Sequence, residues 1–227
     1  MIKAVIFDLD NTLTDFTQMK EAAISSAVDA MIDAGLKMNR VEAVDKIFEI
    51  YEREGIEYQM VFDRFLEEQL GEIDYKIFAA GIVGYRRARE ATLVPYPHTK
   101  ETLIRLIKMG VKLAILSDAP KLQAWLRLCY LQLHHLFDVV ITYEDTMKRK
   151  PHPRPFKRTI EELRVKPEEV VMVGDWEARD IKGARKLGIK SIFTRYGNIF
   201  GECGKDADYI IDDIIELIDI IGELNRT

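Results

Sequence analysis

The apolar residues of this chain fall into two rhythms. Five short runs are apolar without alternation: Ala4-Val5-Ile6-Phe7, Leu113-Ala114-Ile115-Leu116, Val139-Val140-Ile141, Val170-Val171-Met172-Val173 and Ser191-Ile192-Phe193. Continuous runs rich in β-branched residues predict strands buried on both faces, as in a parallel sheet covered by helices. Between the later runs the apolar positions recur every three or four residues, over 101–109, 121–130, 155–163 and 178–187. Strand and helix in regular alternation predict an α/β fold, a Rossmann-like doubly wound parallel sheet. The tail adds a short strand over 208–211 and a helix with Ile214, Leu217, Ile218 and Ile221 on one face.

The first interval breaks this order. From 16 to 93 the sequence offers four helical stretches and no strand. One carries Met19, Ala23, Ala27, Ala30, Met31 and Ala34 before Gly35; a second Val41, Val44, Ile47, Phe48 and Tyr51; a third Val61, Phe62, Phe65, Leu66 and Leu70 before Gly71; a fourth runs over 73–89. Helical periodicity closed by Gly is a usual pattern of start and stop. The expected organisation is therefore an α/β core of 1–15 and 94–227 with a helical bundle, 16–93, inserted in its first crossover. Pro95-Tyr96-Pro97, unable to continue a helix, marks the return.

Composition narrows the function classes. Net charge is −5, with no Lys/Arg stripe, which argues against nucleic acid as a partner. Two cysteines, Cys129 and Cys203, allow one bridge at most, so no disulfide framework is expected. An acidic residue arrives at position 8, too early for a signal peptide, and no apolar stretch reaches the ~18–20 residues that span a bilayer. A cytoplasmic protein is expected, with monomer and homodimer both open.

The chemistry gathers where strands end. In α/β sheets ligands bind beyond the carboxyl ends of the strands. Phe7-Asp8-Leu9-Asp10-Asn11-Thr12 ends the first strand. Two carboxylates there would repel an incoming phosphate: like charges ~4 Å apart cost about 4 kcal/mol at an effective dielectric of ~20. A divalent cation removes that objection, and Mg²⁺ suits oxygen ligands. Ser117-Asp118 ends the second strand, where a hydroxyl and loop amides could hold phosphate oxygens. Lys150, before Pro151, follows the third and could neutralise a transferring phosphoryl group. Gly174-Asp175, with Asp180 beyond it, ends the fourth and offers further carboxylates. Each signal is weak alone; an acidic pair decorates many loops, and Lys150 by itself reads as a solvated lysine. Their order, one at each strand end, is what carries weight.

Asp8-Leu9-Asp10-Asn11-Thr12, Ser117, Lys150-Pro151 and Gly174-Asp175-x4-Asp180 together resemble the four ordered motifs of the haloacid dehalogenase (HAD) superfamily, and the helical insert resembles its helical cap. The likeness is to its small-metabolite phosphatases, of the kind acting on phosphoglycolate or glyceraldehyde phosphate. The resemblance implies that Asp8 attacks phosphorus while Asp10 protonates the leaving oxygen and later takes a proton from water. It also implies that Asp8, Asp175 and the backbone carbonyl of Asp10 hold Mg²⁺. Ser117, Asp118 and Lys150 would bind the phosphate, and Asp180 would support the metal ligands or orient Lys150. An Asp, with an ordinary pKa of about 3.9, is already ionised at neutral pH and needs no activating base. Two departures stand out: His98 where the family often has Gly after the linker Tyr-Pro, and Asp118 where Asn is frequent.

The expected function is hydrolysis of a small phosphorylated metabolite. A phosphomutase would use the same aspartyl phosphate. A phospho-aspartate receiver module would need neither the insert nor an acid at position 10, and a silent binding protein would not need the full motif set. His134-His135 and His152 lack partners at metal-ligand spacing, and Trp176 reads equally as a wall of the site or as core.

Overall fold

The computed structural model describes residues 1–226, which form two compact units, 1–15 with 94–226 and 16–93. The second unit is wholly helical, with α1 (Phe16–Asp33), α2 (Arg40–Glu54), α3 (Val61–Leu70) and α4 (Tyr75–Thr92). Asn39 and Asp74 end the preceding loops by accepting hydrogen bonds from the first free amides of α2 and α4, which sets where those helices begin. Ile24, Ala27, Val28 and Met31 of α1 share a core with Ile47, Ile50, Phe62, Phe65 and Ile77. At Gly84 the backbones of α1 and α4 approach so closely that a Cβ would stand 2.5 Å from the Ser26 carbonyl oxygen. A polar residue also enters this core. Lys20 is 5% exposed, with its ammonium 4.2 Å from the Tyr51 ring centre and 3.3 Å from the Tyr85 hydroxyl.

The first unit is a six-stranded sheet in the order β3-β2-β1-β4-β5-β6, every pairing parallel. Its strands are β1 (Ala4–Phe7), β2 (Lys112–Leu116), β3 (Val139–Ile141), β4 (Val170–Gly174), β5 (Lys190–Thr194) and β6 (Tyr209–Ile211). β1 and β4 are buried along their whole length, which is why they read as unbroken apolar runs. Covering helices are α5 (Thr99–Lys108), α6 (Lys121–Tyr130), α7 (Tyr143–Thr146), α8 (Pro153–Leu163), α9 (Lys182–Arg185) and α10 (Leu217–Leu224). The central position of β1, between β2 and β4, brings the loops after all three to one edge.

Two local features depart from the sequence expectation, and a third, at His98, adds a detail to it. The stretch 178–187 is not one helix: a π-helical turn, Glu177–Ile181, precedes the single turn of α9. The wide turn lets Asp180 reach back, its carboxylate accepting from the Trp176 N–H at 3.2 Å. Helix α7 was not anticipated; it is nucleated by Asp145, which accepts from both the N–H and the hydroxyl of Thr142. His98 adopts φ 59, a left-handed conformation that glycine takes more readily, and its exposed ring pairs with Asp213 at 2.7 Å. Cys129 and Cys203 are free and exposed. Among the described residues no helix is long and apolar enough to cross a membrane.

Candidate active site

The site is built from loops at the carboxyl end of the sheet. Asp8 leaves β1 with its N–H donating to the Val173 carbonyl of β4, so the two strand ends are tied at the point where the acids begin. The chain then turns sharply. Asn11 sits at φ 58, tolerated by Asn better than by most residues, and its N–H donates to the Thr14 carbonyl. Buried Thr12 donates its hydroxyl to Asp175 at 3.1 Å, linking the first motif to the last.

Lys150 stands at the centre. It is 4% exposed, and its ammonium lies 2.6 Å from Asp8 and 2.7 Å from Asp180. Carboxylate oxygens of Asp8, Asp175 and Asp180 all lie within 4.8 Å of one another. Burial, then the charges of Asp8 and Asp180, push the Asp175 carboxyl up to about 9. Burial also pushes Asp180 up to about 7, against the pull of Lys150. For Lys150 itself burial opposes the charge, but Asp180, Asp8 and Asp118 outweigh it and hold the ammonium well above the ordinary lysine value.

This electrostatic balance decides what the cluster can hold. Three carboxylates share one ammonium, and with no cation between them the crowding is relieved by protons held on Asp175 and Asp180; a bound cation would let all three ionise. A phosphate dianion would meet repulsion on the order of 4 kcal/mol per close pair. All-oxygen donors at this spacing suit a hard divalent cation, which would restore the balance. The residues present therefore fit a divalent cation on their own chemistry.

Asp10 stands apart from these three. Its carboxylate forms an ion pair with Arg127 of α6, Oδ1 to Nε 3.2 Å. Asp180, expected behind the metal ligands, contributes a carboxylate to the cluster as well as a contact to Lys150. Ser117 is buried and its hydroxyl oxygen accepts from the Ala119 N–H at 3.1 Å, which leaves its own O–H to donate. The Asp118 carboxylate is engaged by protein: it accepts from the Lys150 N–H at 2.9 Å and meets Arg179 at 3.2 Å. What it does in this structure is fasten the loop after β2 to the loop carrying Lys150. Arg179 lies 3.6 Å over the Trp176 ring, and Trp176 stacks on Phe200 with centroids 4.0 Å apart. Trp176 thus belongs to a rim of stacked groups, not to the core.

Sequence reasoning missed the segment after β5. There the Tyr196 hydroxyl donates to the Thr12 carbonyl at 2.9 Å, and the Asn198 amide donates to the Asp175 carbonyl at 3.0 Å. Between them, Gly197 passes so near Asn11 that any Cβ would collide with its carbonyl oxygen. The strand-end rule that found the other loops points here too. Arg127 was also missed; the signal for it is a charge on the apolar stripe of α6, beside Ala124 and Leu128.

With this geometry in view, comparison with known proteins is direct. The family model described as haloacid dehalogenase-like hydrolase matches residues 2–188. The chain belongs to that family. It is 38% identical to the glyceraldehyde 3-phosphate phosphatase of Methanocaldococcus jannaschii over 227 residues, covering all of both chains. It is 32% identical to the enzyme of the same name from Pyrococcus furiosus, over 99% of this chain and 95% of that one. Among solved structures it resembles a HAD phosphatase from Thermococcus onnurineus, at 31% identity and a TM-score of 0.70, covering 97% of this chain and 98% of that one.

Proposed function

We propose that this HAD-like hydrolase dephosphorylates a triose phosphate, glyceraldehyde 3-phosphate first among candidates, with Mg²⁺ and by way of a phosphorylated Asp8. The reaction class rests on one observation: Asp8, Lys150, Asp175 and Asp180 meet at one edge of the sheet, where a nucleophile, a cation and an oxygen-donor cluster are all in reach. The broader statement, a phosphatase acting on a small phosphorylated metabolite, has further support in the full-length similarity to two phosphatases of that kind. The choice of triose rests on that similarity alone.

Asp8 and Asp175 would hold Mg²⁺ with the backbone carbonyl of Asp10, Asp180 steadying them. When bound, the ion neutralises the carboxylates and lets the dianionic ester approach. The protein's own groups do the rest. An Asp8 oxygen attacks phosphorus as the ester P–O bond breaks, and Asp10 gives its proton to the departing oxygen. Water then attacks phosphorus, the bond to Asp8 breaks, and Asp10 takes the water's proton. The Lys150 ammonium, 2.6 Å from Asp8, offsets charge on the transferring group. Ser117 and the loop amides after β2 receive phosphate oxygens. The helical unit serves as a cap that selects the substrate. The reading keeps the enzyme in the cytoplasm, because a phosphorylated metabolite is too charged to leave it unaided.

The test is phosphate release from glyceraldehyde 3-phosphate, phosphoglycolate and a simple aryl phosphate, each with Mg²⁺ and with EDTA. Mg²⁺-dependent release, fastest with the triose, is expected. Release unaffected by EDTA would refute the metal's role. An isomerised sugar phosphate with no free phosphate would make the enzyme a mutase.

A further inference from the structure

The guanidinium of Arg127 is the second cation buried near the catalytic loops. It sits on the inner face of α6, 6% exposed, and taking a full charge out of water there is costly unless a carboxylate answers it. The answer is Asp10 Oδ1, 3.2 Å from Nε. The two buried cations thus take three of the site's acids between them. Lys150 meets Asp8 and Asp180, the nucleophile and a member of the oxygen-donor cluster; Arg127 meets Asp10.

The division matters because Asp10 has a task the others lack. Its backbone is held by a β-bridge to Thr14, and the Asn11 N–H donates to the Thr14 carbonyl. Those contacts fix the main chain and leave rotation about the side-chain bonds. A carboxyl that must deliver a proton to one oxygen and collect one from another needs that rotation settled.

We propose that Arg127 is the positioning residue for Asp10, holding Oδ1 so that Oδ2 faces the reacting centre and carries the proton. The inference rests on the acid and base role assigned to Asp10 above. In the first step the Oδ2–H bond breaks as its proton passes to the leaving oxygen; in the second Oδ2 regains a proton from the attacking water. The contact is an ion pair, strongest while Asp10 is ionised, and with Oδ2 protonated the Oδ1 lone pairs still face the guanidinium. A guanidinium does not lose its proton in proteins, so Arg127 orients Asp10 without entering the transfer itself. A lysine there would keep the charge and lose the planar shape.

The experiment is steady-state kinetics on two esters, an alkyl phosphate whose leaving oxygen needs a proton and p-nitrophenyl phosphate whose leaving group hardly does. Arg127→Met should lower kcat on the alkyl ester by about ten- to a hundredfold with KM within about twofold, as expected of a misplaced catalytic group. On p-nitrophenyl phosphate the fall in kcat/KM should be several-fold smaller. Arg127→Lys should recover most of the loss. Placed in Asp10→Asn, Arg127→Met should cost nothing further, because the group it positions no longer acts. Should Arg127→Met fail to fold by circular dichroism, Arg127→Gln enters the same cycle.

An unchanged kcat in the folded Arg127 variant would overturn the proposal. So would a rise in KM alone, or an equal loss with and without the Asp10→Asn change. Asp10→Asn at the wild-type rate would remove the acid and base reading and this inference with it. A slow Asp10→Asn beside a fast Arg127→Met would remove this inference only.

Discussion

Each unit of this protein buries a lysine, and the two are accommodated differently. In the α/β unit Lys150 lies between two carboxylates at 2.6 and 2.7 Å. In the helical unit Lys20 lies over Tyr51 at 4.2 Å and Tyr85 at 5.5 Å, with the Tyr85 hydroxyl 3.3 Å away. Aromatic faces attract a cation without adding a net charge of their own, and the contact is worth up to about 2 kcal/mol when desolvated. Carboxylates attract it more strongly, but with Asp175 beside them they crowd one another, which raises the proton affinity of Asp175 and Asp180. The aromatic arrangement around Lys20 is finished as it stands. The carboxylate arrangement around Lys150 would be finished by a divalent cation, and that incompleteness marks it as the candidate site.

The sharpest way to test this contrast is at Asp8. Asp8→Asn keeps the shape but cannot attack phosphorus, so turnover should fall to background while the circular dichroism spectrum is unchanged. A near-wild-type rate would remove Asp8 as nucleophile.

Lys150→Met comes next. It strips the cluster of its ammonium and should cost roughly 3–5 kcal/mol of stability in EDTA at neutral pH, with turnover largely lost. Mg²⁺ should restore part of the stability, measured by chemical denaturation. A variant as stable as the parent in EDTA would mean that the carboxylates do not depend on Lys150.

The pH profile probes the same crowding more gently. Asp175 and Asp180 bind their protons more tightly folded than unfolded, with folded values of about 9 and about 7 against an ordinary 3.8. Their contribution to stability is complete below about pH 4 and is lost as pH rises through 7 and then 9. In EDTA the melting temperature should therefore decline between pH 5 and 9, and Mg²⁺ should flatten the decline. A curve that rises over this range without metal would contradict the raised values.

The smallest effect is expected at Lys20. Lys20→Met loses the cation–ring contacts but also the burden of a buried charge, so stability should move by no more than about 2 kcal/mol. A loss matching that of Lys150→Met would erase the distinction between the two lysines.

The fold was legible because its signals are local. Residues 4–7 and 170–173 are apolar at every position since both faces of the strands are covered, and α2 and α3 show the spacing of one buried stripe. The acids Asp8 and Asp175 could be found because strand ends are predictable places and carboxylates there are conspicuous. Lys20 was passed over because it occupies a buried position of α1 beside Met19 and Ala23, where periodicity expects an apolar residue.

What the sequence by itself determined is the set of elements and which residues stand at their ends, because strand and helix patterns are written over neighbouring positions. What only the tertiary structure decided is partnership. Arg127 meets Asp10, Tyr196 meets Thr12, and Asn198 meets Asp175 because the sheet order β3-β2-β1-β4-β5-β6 gathers their loops at one edge. Asp180 joins the cluster because a π-helical turn carries it back toward β4. Spacing along a chain says nothing about which distant charge will stand opposite a buried one; that follows from how strands are ordered in space and how much desolvation each pairing must offset.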